Sequence, residues 1–343
     1  FFFKSFIKFR LKTDFEKDKY YVPNKRAYIA MFVLTIIILS FFYKYLILNM
    51  VSVDKTSLEL GTSLSLIVST FLFSFPIYLA YHSALSLKSK SGSIFTFLIS
   101  LFVLLLFKNP FFAKRNALGP IYLTLLFTFF KNRSNNFIAF VILILVLSIF
   151  FPFTQAFTHT SNLILGDILE TFINRMKTLD VRFALTSLDY DAWSNFMASI
   201  NYVQANGVTY GRQLLGVFLF WVPRSIWFNK PVGSGAFVAK NMLMTNYNMW
   251  FTNISMPFPG EGYINFGLLG VFLFALILSI VSKMTDEFYK YNDLRLIVSL
   301  YVSFHMVFML RGDLMTSFAY LVGVLLAIFV TPVILNRVFH KVH

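Results

Sequence analysis

The chain has 343 residues, of which 57% are hydrophobic and only 13% charged, with a formal net charge of +15 and no Cys. A soluble domain carries nearer a quarter charged residues, so this composition excludes a water-soluble globular protein and predicts a polytopic membrane protein. Disulfides and thiolate metal sites are excluded. With no basic block on a soluble domain, the positive charge points to anionic headgroups and membrane topology rather than nucleic acid.

Residues 1–26 put Phe2, Phe6 and Phe9 at helical spacing with Lys4, Lys8 and Lys12 between them. This pattern predicts a basic amphipathic cytoplasmic segment lying on the inner leaflet; the frayed end of a preceding span fits the same residues. Eight apolar runs follow, at 27–48, 60–82, 92–107, 117–130, 137–153, 261–282, 294–310 and 314–335. Crossing ~30 Å of hydrocarbon takes about 20 residues. The short runs 92–107 and 117–130 would need the long stems of Lys108 and Lys131 to reach the interface. The order divides the chain into an N-terminal transmembrane bundle (27–153), an extracytoplasmic loop (154–260), C-terminal transmembrane helices (261–335) and a cytoplasmic tail (336–343).

With the N-terminus inside, eight crossings return the tail to the cytoplasm. The inside pieces then carry 17 Lys and Arg, against 7 in the loop of more than a hundred residues. Short loops rich in Lys and Arg stay inside. A ninth, shorter run at 213–222 would reverse the tail if it crossed, so it is predicted to be a re-entrant or interfacial helix packed on protein.

The loop is mostly helical by pattern. Asp189 and Asp191 stand at a helix start, and Asn206-Gly207 marks its end. Trp193 and several Tyr residues nearby fit a sugar-binding face, an interface belt or a small core. Next comes "YGRQLLGVFLFWVPRSIWFNKPVGSG", with Arg212, Arg224, Trp227 and Lys230. Pro223 ends the apolar run. Arg224 and Lys230 beside Gly-Ser-Gly form either a phosphate clamp, with backbone N–H groups aimed at an anion, or a headgroup anchor. Glu261 follows Pro259-Gly260 and opens a span. It is either a helix N-terminal charge or a general base at the membrane boundary.

No His-Glu-x-x-His, metal-spaced Asp cluster, Walker loop or Ser-His-Asp order occurs. His82 and His305 sit in or at the ends of spans, where a hydrogen-bonded packing role competes with a functional one.

The stretch 211–235, followed by "NISMPFPGEGYINFGLLG", resembles the bacterial O-antigen polymerase family, the Wzy-type repeat-unit polymerases. "NPFFAKRNALGPIYL" (109–123) resembles its Asn-Pro…Arg element, and "MLRGDLM" (309–315) its late Arg-Gly element. The resemblance covers about 200 residues in order, and its central piece is the specific one. It implies an all-α, GT-C-like membrane glycosyltransferase of about eight transmembrane helices plus a re-entrant helix and a large helical extracytoplasmic loop. Such an enzyme passes a glycan from one undecaprenyl diphosphate carrier to the terminal sugar of another carrier's repeat unit, at the outer face of the bacterial inner membrane.

That chemistry needs fixed positive charge on a departing diphosphate. Arg115, Arg224 and Arg311 are placed at one boundary by the topology, and Glu261 is the first choice of base; Asp313 would orient Arg311. Lys230, Asp191, Asp189, Trp193, Trp227 and Arg212 complete the expected binding set. No cofactor or metal is expected. Partners would be the undecaprenyl-diphosphate-linked oligosaccharide, anionic membrane lipids, a chain-length regulator and a flippase, with no nucleic acid. Competing readings are an O-antigen ligase with the same donor, a polysaccharide transporter or flippase, and a non-catalytic scaffold. The transporter is disfavoured because no run holds an Asp or Glu away from its edge.

Overall fold

The computed structural model describes residues 24–51, 68–109, 115–130, 192–243 and 254–341, with four positions between 137 and 145. The expected amphipathic segment before residue 24, most of the 137–153 run, and Asp189 and Asp191 lie outside the described residues. All regular structure among the described residues is helical.

Among the described residues, five helices are long and apolar enough to cross a membrane: Lys25–Leu46, Val68–Lys88, Phe258–Tyr289, Leu294–Arg311 and Leu314–Leu335. Ile94–Phe107 and Ala117–Phe130 are apolar but shorter. We number the elements α1 (Lys25–Val51), α2 (Phe75–Lys88, entered through a 3-10 turn at Leu72–Ser74), α3 (Ile94–Phe107) and α4 (Arg115–Phe130). The loop contributes α5 (Ala192–Asn206), α6 (Arg212–Phe218) and α7 (Ser234–Val238). Then come α8 (Phe258–Tyr289), α9 (Leu294–Arg311) and α10 (Leu314–Leu325), which runs through a π-turn at Leu326–Val330 into α11 (Thr331–Lys341).

The inner helices are α2 and α9. The α2 window is 83% buried and that of α9 67%, against 22% for α1 and α8, so the last two present most of their surface to lipid. Tyr78, Tyr81 and Tyr301 are fully buried at the centre. The Tyr81 hydroxyl donates to the Ile121 carbonyl (2.9 Å) and Lys88 Nζ to that of Thr128 (2.9 Å). Both contacts are offset by 40 residues, so α2 and α4 run parallel. Lys88 thereby satisfies a last-turn carbonyl of its neighbour, where a cation is favoured. Lys108 does not merely stretch to the interface as expected; its ammonium donates to the Ser69 carbonyl (3.0 Å).

Tight caps set the turns. Ser93 Oγ accepts from Phe95 N (3.2 Å) at the start of α3. Asp293 accepts from Arg295 N (2.9 Å) at the start of α9 and forms a buried ion pair with the Arg295 guanidinium, whose carbon lies 3.3 Å from the Tyr291 ring centre.

Two runs differ from their sequence reading. The helix of the second run continues past residue 82 to Lys88 and ends in a turn at Ser89–Ser91, where Lys90 holds φ +59°. The run expected at 261–282 begins at Phe258 and is broken at Phe266 and Gly267, the latter with φ +62°. Residues eight apart in a straight helix are about 12 Å apart. Yet a Cβ built on Gly270 would sit 1.8 Å from the Gly262 carbonyl oxygen, and the Phe258 and Phe274 rings are 4.6 Å apart. The chain therefore reverses on itself. Residues 258–265 fold back beside the start of the long helix that begins after Gly267, and only glycines allow the backbones to approach so closely.

Candidate functional site

The folded-back start of α8 is the centre of a knot tied by four distant segments. Glu261 is fully buried in it. Its Oε2 accepts from the Ser234 hydroxyl (2.5 Å), at the start of α7, and its Oε1 from the Leu314 backbone N–H (3.0 Å), at the start of α10. One carboxylate thus joins segments 27 and 53 residues away. Its helix is held from the other side: Asn265 Nδ2 donates to the Glu261 carbonyl (2.8 Å), Thr209 Oγ1 to Asn265 Oδ1 (3.2 Å), and Thr209 N to the Ile264 carbonyl (2.9 Å). Asn195 of α5 donates to the Ser255 carbonyl (2.9 Å).

Asp313 does a parallel job. It caps α10, with Oδ1 accepting from Met315 N (3.0 Å) and Thr316 N (3.4 Å), as short acidic side chains do at this position. Its Oδ2 accepts from Gly235 N (3.3 Å). The Gly-Ser-Gly N–H expected to face an anion therefore faces the chain's own carboxylate. A Cβ on Gly233 would lie 2.3 Å from Asp313 Oδ2, so glycine is what lets the loop seat there. Burial pushes the Asp313 carboxyl above its ordinary value, against the pull of the N–H donors of Gly235, Thr316 and Met315.

The 213–222 run forms only the short α6, because turns begin at Leu219 and Pro223 follows without an N–H to give. Val217 and Phe220 are buried, while Leu215, Phe218 and Trp221 are exposed. A two-sided helix of 7 residues cannot cross a bilayer; it suits the expected interfacial position.

Beyond it the loop is closed by its own cations. Arg224 donates to the carbonyls of Lys230 (2.8 Å) and Pro231 (3.4 Å). Lys230 is buried and donates to those of Phe220 (2.6 Å) and Val222 (2.9 Å). Its ammonium is held below its ordinary value by burial first and by the Arg224 charge second. Lys230 thus spends its charge on carbonyls inside the loop, whereas Arg224 as a residue is exposed.

The other expected site residues divide. Arg311 is half-buried at the end of α9, two residues from Asp313. Arg212 is exposed at the start of α6, and Trp227 is half-buried in the turn beyond Pro223. Trp193 is exposed on α5 with its ring 6.3 Å from Phe196, which in turn lies 6.4 Å from Tyr263, two residues past Glu261. These aromatics line a rim beside the knot. Arg115 opens α4, but its side chain lies outside the described residues, as do Asp189 and Asp191. Ser234 was not singled out in the sequence, where Gly-Ser-Gly is read only for its backbone N–H groups. Tyr210 is 84% exposed and holds φ +51°, an unusual backbone for a bulky residue that marks a position worth testing. Among the described residues no group of three His, Cys, Asp or Glu could hold a metal ion.

A family model matches about a quarter of the chain. Residues 254–342 match the family model for O-antigen polysaccharide polymerase Wzy. The resemblance seen in the sequence is borne out over these residues, and the match holds both carboxylates of the knot, Glu261 and Asp313, together with Arg311. Ser234, Arg224 and Lys230 lie before it. No curated protein and no solved structure matches the chain. The matched model is that of an O-antigen polysaccharide polymerase. The five span-length helices among the described residues fit a multi-pass membrane protein.

Proposed function

We propose that the chain lengthens a glycan on undecaprenyl diphosphate at the outer face of the inner membrane, in a GT-C-like arrangement. The observation that carries this reading is the Wzy match over the segment that holds Glu261, Arg311 and Asp313. In the reaction an acceptor sugar hydroxyl attacks the anomeric carbon of the donor glycan. A C–O bond forms there, the bond to the diphosphate oxygen breaks, and the diphosphate leaves with the electron pair. The hydroxyl proton is lost to a base or to water.

The guanidinium of Arg224, with Arg311 and Arg115, supplies positive charge for the leaving diphosphate. Arg suits this role through its planar fork and permanent charge. Trp193, Trp227 and Tyr210 offer aromatic faces to sugar rings. Glu261 is assigned a different task from that of base. With no exposed surface and both oxygens already accepting, it positions the Gly-Ser-Gly loop and the α9–α10 turn against each other. It is a positioning residue that ties the loop of Ser234 to the turn before α10.

The test is reconstitution of purified protein with one defined undecaprenyl-diphosphate oligosaccharide, followed by sizing of the products. A ladder of multiples of the repeat unit is expected. Transfer only to added lipid core would instead identify a ligase. Passage of substrate across the vesicle membrane without any lengthening would identify a flippase.

A further inference from the structure

Glu261 is fully buried, and both of its hydrogen bonds are to neutral groups: the Ser234 hydroxyl on Oε2 and the Leu314 N–H on Oε1. Asp313 precedes Leu314 in the chain and accepts from Gly235, which follows Ser234. The two carboxylates therefore reach one Gly-Ser-Gly loop and one turn through adjacent residues. Among the described residues neither forms an ion pair. Two negative charges packed into one buried joint repel each other and lack the hydration that ionisation needs, so one carboxyl of the pair keeps its proton.

The hydrogen bonds decide which one. Asp313 accepts from three backbone N–H groups, those of Gly235, Met315 and Thr316, and such donors hold the ionised form. Arg311, two residues before it in the chain, favours the same form. Glu261 has one N–H donor and one hydroxyl. A hydroxyl accepts as readily as it donates, so Ser234 can accept from a protonated Oε2 across the same 2.5 Å. Oε1 keeps its bond from Leu314, and protonation removes no hydrogen bond. The remaining ionisable side chains of the neighbouring elements bring no cation to Glu261. Lys230 donates to the Phe220 and Val222 carbonyls and His305 to that of Ser317 (2.9 Å). Arg212 and Lys240 are exposed, and Tyr202 and Tyr263 carry no positive charge.

We propose that the knot is a proton-held latch: Glu261 carries a proton that it donates to Ser234, and loss of that proton at raised pH sets two carboxylates against each other across the Gly-Ser-Gly loop and frees the loop from the α9–α10 turn. Arg224 is bonded to the carbonyls of Lys230 and Pro231, so the latch bears on its loop as well. The proposal rests on the positioning role given to Glu261 and not on polymerisation; its test uses no substrate, so either reading can fail alone. The sign of the pH effect follows from linkage. An unfolded Glu ionises at about pH 4.3. Above that pH the folded chain holds a proton that the unfolded chain lacks. The folded-to-unfolded ratio then falls about tenfold per pH unit until the knot itself releases the proton.

Infrared spectra of the purified full chain in detergent at neutral pH are expected to show the carbonyl band of a protonated carboxyl. Glu261→Gln should abolish it. Asp313→Asn, which keeps a capping side chain on α10, should retain the band but lose it at a lower pH, because the neighbouring charge is gone. No such band in the parent, or a band that disappears with Asp313 instead of Glu261, overturns the proposal. Isotopic labelling of glutamate carboxyls tests the parent without any variant, and a band that does not shift on labelling overturns it too. Thermal unfolding supplies the second readout. From about pH 5 upward the parent should lose stability relative to Glu261→Gln by about tenfold per pH unit; parallel pH profiles would mean that the folded chain holds no extra proton there. The third readout is amide exchange in peptides that contain Ser234 and Leu314, corrected for the intrinsic rise with pH. Exchange should quicken in the parent as the infrared band fades and stay level in Glu261→Gln. A band that fades with no change in exchange would leave a protonated carboxyl but no latch, and the proposal would fall.

Discussion

Replacing Glu261 by Ala and by Gln separates positioning from base catalysis. Ala strands two buried donors, the Ser234 hydroxyl and the Leu314 N–H. Each stranded donor costs ~1–3 kcal/mol, and the missing side-chain volume adds to this. The total is about 4 kcal/mol, enough to pull the Gly-Ser-Gly loop away from the α9–α10 turn. Gln is different. Its carbonyl oxygen can keep the Leu314 bond, and its amide can donate to Ser234 once that hydroxyl rotates. The cost should stay near ~1 kcal/mol. The assay pairs heat inactivation in detergent with the rate of glycan lengthening at saturating substrate. Glu261→Ala should lose both stability and activity. Glu261→Gln should retain heat stability and a rate within about fivefold of the parent, about 1 kcal/mol of barrier. A Gln variant as heat-stable as the parent but slowed by about a hundredfold would refute this reasoning and restore Glu261 as the proton acceptor.

Arg224→Ala should cut lengthening by about a hundredfold, ~3 kcal/mol of transition-state stabilisation, in a protein that still inserts. Arg224→Lys should recover only part of it, because the fork is lost; normal lengthening in the Ala variant would remove Arg224 from the site. Lys230→Met should instead act on the fold, unpairing the Phe220 and Val222 carbonyls at about 2–3 kcal/mol. It should lower heat stability with donor KM unchanged at permissive temperature, and a rise in donor KM without loss of stability would count against that assignment. Gly270→Ala drives a methyl against the Gly262 carbonyl and should cost about 3 kcal/mol, the top of the overpacking range. Heat inactivation reads this directly, and an unshifted midpoint would disprove the reversal of the chain at Phe266–Gly267.

The spans were legible because a long apolar run needs no partner to be recognised; α1, α9 and α10 start or end within three residues of their predicted limits. The reversal inside α8 was not, because Phe266-Gly267 lies within a run long enough to read as one span, and it is the Gly262–Gly270 and Phe258–Phe274 approaches that reveal it. At the candidate site, the sequence identified the right residue types but not their partners. A Gly-Ser-Gly beside two cations predicted N–H groups facing an anion, yet the anion is Asp313, 78 residues away from Gly235. Glu261 was legible as a special carboxylate from its place after Pro259-Gly260, whereas its burial depends on Leu314 and Ser234. Lys230 was read with Arg224 as one clamp; the direction of its ammonium is fixed by the carbonyls that the turns after α6 leave open.

The fold-back in α8 also sets a length. Thirty-two residues of continuous helix would measure about 48 Å, far more than the hydrocarbon layer. Turning the first eight residues back leaves a rod close to one bilayer in thickness and hangs the surplus from its top. The Glu261 knot is therefore held at one end of a rigid strut, so membranes of different thickness would raise or sink the candidate site relative to the phosphate plane.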